Sequence, residues 1–114
     1  MKFQIRFVDY EAFEIFINST EIKMRAKILA QLENIEDTGI LPDADHLIDD
    51  IYEFKFKHGS NIARVLWTYD RSRKGIILIT HGFIKKTQKT PENQIALAKR
   101  LLNNYYNERK RTYV

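Results

Sequence analysis

The stretch IYEFKFKHGSNIARVLWTY (51–69), followed after a short connection by GIILITHGF (75–83), decides the fold. In its first part Tyr52, Phe54 and Phe56 alternate with Glu53, Lys55 and Lys57. Period two puts the rings on one face of a strand and the charges on the other. HGSN (58–61) reads as a turn, and IARVLWTY (62–69) is rich in β-formers. GIILITHGF is apolar on both faces for most of its length, as a central strand is. Three consecutive strands therefore form a meander.

Working outward, KFQIRFV (2–8) alternates in the same way and predicts a first strand. Asp9 can cap a short helix carrying Phe13, Phe16 and Ile17, ending near Asn18. Ser19 or Thr20 can cap a longer helix to about Asp37, closed by Gly39 and Pro42. Two sets, Ile22, Ala26, Leu29 and Ile28, Leu32, Ile35, recur at three- and four-residue spacing, which predicts one broad inward face. PDADHLIDD (42–50) reads as an acidic loop. After the meander, Thr90 and Pro91 mark a last helix whose core face is Ile95, Ala98, Leu102 and Tyr105, with a basic tail. The order is β-α-α-β-β-β-α: a single α+β domain over residues 1–114, with helices on one face of a small antiparallel-rich sheet and the other face open, carrying Lys55 and Lys57.

Composition bounds the function. The 114 residues suit one core. No apolar run is long enough for a membrane span, the N-terminus is too charged for a secretory signal, and cysteine is absent, so a cytoplasmic protein without disulfides is expected. Residues 1–50 carry 5 basic and 11 acidic side chains, residues 51–114 carry 14 and 4. The asymmetry fits a cationic half that meets phosphate, or two halves that neutralise each other.

HGFIKKTQKTP (81–91) crowds Lys85, Lys86 and Lys89 between a buried strand and a helix start. Mutual repulsion there costs stability unless an anion is the intended neighbour. Lys55 and Lys57 share a strand face; whether Arg64 joins them depends on a turn length that parity cannot fix. Such a cluster would bind a phosphodiester through charge-assisted hydrogen bonds; otherwise it is a solvated strand face. A lysine among cations has a lowered pKa and can serve as general base, while arginine can stabilise a dianionic transition state. These parts could cleave RNA without a metal, the ribose 2′-OH attacking its neighbouring phosphate. His81, at the strand end, is either a hydrogen-bonded strand residue or a general acid for the leaving oxygen. His58 is a turn residue beside the lysine face, and His46 belongs to the acidic loop. The three histidines lack metal-site spacing, so neither metal nor cofactor is expected. Trp67, Tyr69 and Tyr52 fit core positions better than base-stacking platforms.

Together, the charged strand 51–57, the I-A-R-V-L strand and above all HGFIKKTQKTP resemble the RelE/ParE superfamily of type II toxins, nearest its HigB-like, phage-derived branch. The resemblance covers roughly residues 45 to 105. It implies an endoribonuclease that cuts mRNA on the ribosome and is held inactive by an antitoxin, usually a helix-turn-helix DNA-binding protein. It also implies catalytic roles for Lys55, Lys57 and Arg64, with Lys86 as a further cation. The tyrosine that RelE uses early in its final helix has no counterpart at Glu92, Asn93 or Gln94, which leaves His58 or His81 as substitutes. Part of the superfamily inhibits DNA gyrase instead, and a non-toxic RNA-binding module is a third outcome of the same pattern.

Overall fold

The computed structural model describes residues 2–85 and 89–112. The chain runs β1 (Gln4–Phe7), α1 (Tyr10–Ser19), α2 (Ile22–Thr38), β2 (Ala44–Ile48), β3 (Ile51–His58), β4 (Asn61–Tyr69), β5 (Ile76–Ile84) and α3 (Glu92–Thr112). The strands form one sheet in the order β1-β5-β4-β3-β2, with β1 parallel to β5 and the other pairs antiparallel. The α+β class expected from the sequence holds, with one strand more. The acidic stretch read as a loop contains β2, which pairs Ala44 with Phe54, Asp45 with Glu53 and His46 with Tyr52. Charged side chains hide such a strand from pattern reading because an edge strand keeps them in water, where they also discourage further pairing.

Alternation fixes the two faces. Phe54, Phe56, Ala63, Val65, Trp67, Ile77 and Ile79 face a layer made by α1 and α2, where Phe13, Phe16, Ile17, Met24, Ile28, Leu32 and Ile35 meet them. Trp67 stacks between Phe54 and Tyr52 at centroid distances of 4.6 and 4.8 Å and is a core residue, not a stacking platform. Ile51, Leu66, Ile76 and Leu78 face the other way and are covered by Ala98 and Leu102 of α3. The helices are thus divided between the faces, two and one. α3 needs the second face because β5 is apolar on both, and an uncovered Leu66–Leu78 surface would stay wet.

Local signals explain the helix ends. Asp9 accepts from Ala12 N–H at 3.1 Å and starts α1. Ser19 and Thr20, expected to cap α2, instead turn back onto the carbonyls of Phe16 and Ile17 at 2.6 and 2.7 Å. Glu21 is the N-cap of α2 and makes no side-chain cap bond. Gly39, at φ 76°, closes α2 in the left-handed conformation that an L side chain disfavours. Of the two stripes read on α2, one is buried, as Met24, Ile28, Leu32 and Ile35; Ile22 is 78 % and Leu29 46 % exposed. At the sheet's other edge, the outward N–H of Ile5 donates to Glu36 Oε2 at 2.9 Å, so α2 also shields β1.

The far end of α3 is clamped by Asp70, whose buried carboxylate accepts from Ser72, Arg73 and Arg109, while Arg73 also donates to Tyr105 Oη at 2.8 Å. Burial alone would raise the Asp70 pKa; the Ser72 and arginine donors outweigh it and hold the carboxyl below its ordinary value. Its stabilising contribution is therefore complete above the ordinary carboxylate range and lost as pH falls through the depressed value. Asp70→Asn is expected to flatten the acid limb of a stability-against-pH curve measured by urea unfolding. Gly82 gives a second expectation. A Cβ there would lie 2.4 Å from the Phe16 ring, which is wedged in the core. Gly82→Ala should cost about 1–3 kcal/mol in the same assay, partly recovered when Phe16 is shortened to Leu.

Candidate functional site

The β3–β4 turn leaves Gly59 and Ser60 between the paired residues His58 and Asn61. Pairing therefore sets Lys55 opposite Arg64, and Arg64 opposite Phe83 on β5. Arg64 does share the lysine face. Two residues further, Lys57 pairs with Ile62, and Lys85 N–H extends the ladder by donating to Ile62 O at 2.7 Å. Lys55–Arg64–Phe83 and Lys57–Ile62–Lys85 are thus successive rows on the α3 side of the sheet, beyond the end that α3 covers. The face is not open throughout, as the sequence suggested: along these rows Lys57 is exposed, Lys55 and Lys85 are partly so, and Arg64 is buried.

The cations differ in state. Arg64 is 4 % exposed, and its Nη1 donates to Glu53 Oε1 and Oε2 at 2.8 and 3.0 Å and contacts Thr90 Oγ1. Thr90 in turn donates to Glu53 Oε2 at 2.7 Å. Arg64 was expected to grip phosphate directly; it lies beneath the surface, its charge balanced by Glu53. Lys55, partly exposed, forms an ion pair with Asp45 on β2, and that bond raises the Lys55 pKa and lowers that of Asp45. Lys55 is therefore held as an ammonium, contrary to the expectation that crowding would neutralise it. Lys57 is exposed at the open end. Lys85 has its pKa lowered, first by loss of solvent, then by the positive charges of Arg64 and Lys55. The lowering expected of a crowded lysine is found at Lys85, not at Lys55.

His81 is 4 % exposed. Between the Leu66–His81 and Trp67–Ile79 pairs β5 carries one extra residue, Thr80. This bulge turns His81 from the α1–α2 side, where alternation from Ile77 and Ile79 would place it, to the Arg64 side. There Nε2–H donates to Gln94 Oε1 at 2.8 Å, and Nδ1 lies 3.2 Å from the Thr80 hydroxyl, whose one proton is shared between it and Leu66 O at 3.1 Å. Burial lowers its pKa, so the ring is neutral near pH 7. A buried neutral ring with both nitrogens engaged positions Gln94 and the start of α3; it is badly suited to the acid role expected of it. His58 shares the face of Phe54 and Phe56, opposite the lysines, because it lies one residue beyond Lys57. His46 is exposed on β2, its Nε2 against Asp49 O. Lys89 is exposed just before Thr90, and Lys86 lies outside the described residues. Among the described residues, no three His, Asp or Glu side chains gather as a metal site would require.

Sequence reasoning left Glu53, Thr90 and Gln94 without functional roles. Glu53 was legible in part, since alternation put a carboxylate on the lysine face, but nothing local revealed that Arg64 would bury it. Removing one partner of a buried pair strands the other charge. Glu53→Ala is expected to destabilise by about 3–5 kcal/mol in urea unfolding, and the Glu53→Ala/Arg64→Met double variant by distinctly less than Glu53→Ala alone.

No helix among the described residues is long and apolar enough to cross a membrane. A comparison with curated proteins gave no match. Compared with known protein families, residues 16–103 match the one described as "Phage derived protein Gp49-like (DUF891)". That span covers α2, the whole β2–β5 meander and the first half of α3, and with them both cationic rows. The chain therefore belongs to the phage-derived Gp49-like family, a RelE-like family of type II toxin–antitoxin toxins, and an antitoxin is its implied partner.

Proposed function

We propose that this toxin is a HigB-like, ribosome-dependent mRNA endoribonuclease that works without a metal. The observation that carries this reading is the pair of rows on one sheet face, with Lys55, Lys57 and Lys85 around a buried Arg64. Lysines gathered on one face of a folded surface suit a phosphodiester chain, whose contacts supply both affinity and orientation.

The proton-transfer roles follow from the states of the lysines. Lys85, whose pKa is lowered, takes the proton of the ribose 2′-OH. The freed oxygen attacks the adjacent phosphorus, and the bond from phosphorus to the 5′-oxygen breaks. Lys57, exposed, donates a proton to that oxygen. The products are a 2′,3′-cyclic phosphate and a 5′-hydroxyl; DNA lacks the attacking group. Lys55 holds the non-bridging oxygens, and Arg64, fixed by Glu53 and Thr90, supports the developing charge from below. Lys89 extends the positive surface toward flanking phosphates or ribosomal RNA, and Lys86 is the further cation that the sequence offers for the same contacts. His81 and Gln94 set the position of α3 beside the rows. The antitoxin, in this reading a helix-turn-helix protein, keeps the rows from the ribosome.

General acid–base catalysis contributes about 10²–10⁴-fold. Lys85→Gln and Lys57→Gln should each lower the cleavage rate on programmed ribosomes by at least about a hundredfold, with circular dichroism unchanged. Mapping transcript ends after brief induction should show new 2′,3′-cyclic phosphate ends inside translated codons. Intact transcripts together with DNA-damage signalling would favour gyrase inhibition instead.

A further inference from the structure

β2 brings to the site a residue that no part of the mechanism above uses. Asp45 stands opposite Glu53 on the sheet, one step diagonally from Lys55, and its carboxylate pairs with the Lys55 ammonium. The pair is accessible: the two side chains are 25 % and 50 % exposed. Lys55 is also tied by its backbone, its N–H donating to Asp43 O at 2.9 Å, so β2 holds both the main chain and the head group of this lysine. The other acidic groups near it are Asp43, on the same edge, and Glu53, which is committed to Arg64 and Thr90. Asp45 is thus the carboxylate that occupies the side of Lys55 left open to solvent.

We infer that Asp45 belongs to the RNA site as an internal stand-in for a phosphate: it keeps Lys55 extended across the face, and an incoming phosphodiester displaces it. This inference rests on the reading that Lys55 binds RNA. An exposed carboxylate suits the task because it competes weakly. A surface ion pair contributes little beyond orientation, and a phosphodiester in a row of cations gains from Lys57 and Lys85 as well. The arrangement makes Asp45 a residue that sets affinity, raising the threshold for isolated anions and yielding to a strand that meets several cations together.

The test uses the whole protein and a short single-stranded RNA methylated at every 2′-oxygen, which binds but cannot be cleaved. Asp45→Asn should tighten binding about two- to fivefold, the worth of an exposed ion pair. The slope of log affinity against log salt should keep its value, because Lys55 neutralises the same phosphate in both proteins. Glu33→Gln, on the outer surface of α2, removes the same charge far from Lys55 and should change neither quantity beyond a small uniform offset. In a Lys55→Gln background Asp45→Asn should have no effect. If Lys55→Gln weakens binding but Asp45→Asn matches Glu33→Gln, the inference on Asp45 fails while the RNA site stands. If Lys55→Gln leaves affinity and salt slope unchanged, the RNA reading of this row fails, and the Asp45 inference with it.

Discussion

A guanidinium removed from water must meet a carboxylate, and the Arg64–Glu53 pair organises the site around that requirement. Glu53 comes from β3, Arg64 from β4, and the hydroxyl that bridges them, Thr90, from the segment leading into α3. One buried interaction therefore couples two strands to the start of the last helix. Because α3 begins there, its apolar residues fall over Leu66 and Leu78, and the helix stops short of the rows that carry Lys57 and Lys85. The same pair withdraws one positive charge from the surface. What the surface presents is a set of lysines above a neutralised arginine, which repel one another less than the sequence count suggests.

The uneven charge of the two halves of the chain allowed two readings, and both have a place in the structure. Mutual neutralisation occurs along β2 and the turn after it: Asp45 pairs with Lys55, Asp49 with Lys99 and Asp50 with Arg71. At the opposite end of the meander, among the described residues, neither Lys57 nor Lys85 makes an ion pair. The acidic half thus screens one side of the sheet and leaves the other cationic. That division gives the face a polarity of charge along the strands.

The meander and its faces were legible because period two is a steric property of the strand, which neighbours cannot alter. Lys55, Lys57 and Glu53 could be assigned to one face on that ground alone. Arg64 could not, since a turn one residue longer would have reversed it. β2 was illegible because Asp45, His46 and Asp49 break any apolar pattern, and its pairing comes from Phe54 and Tyr52 of the neighbouring strand. α2 carries two apolar stripes, and only the geometry of the sheet decides that Met24, Ile28, Leu32 and Ile35 turn inward while Ile22 and Leu29 do not. The place of α3 depends on the second apolar face of β5, a feature visible in GIILIT but ambiguous about which helix covers it.

The histidines show most clearly why residue type and strand position fall short of chemistry. His58 and His81 both flank the lysines in sequence, yet alternation sends His58 to the far face, while a single extra residue at Thr80 brings His81 to the near one. The bulge that delivers His81 also encloses it, between Gln94 on α3 and the hydroxyl of Thr80. Enclosure lowers the pKa, and a lowered pKa removes the proton that an acid must give. Around Lys85 loss of solvent is joined by nearby positive charge, and both lower the pKa of an ammonium still within reach of the surface. A lowered pKa thus acts differently on the two groups: it leaves an enclosed imidazole without its proton, and it eases proton release from an ammonium that solvent can still reach.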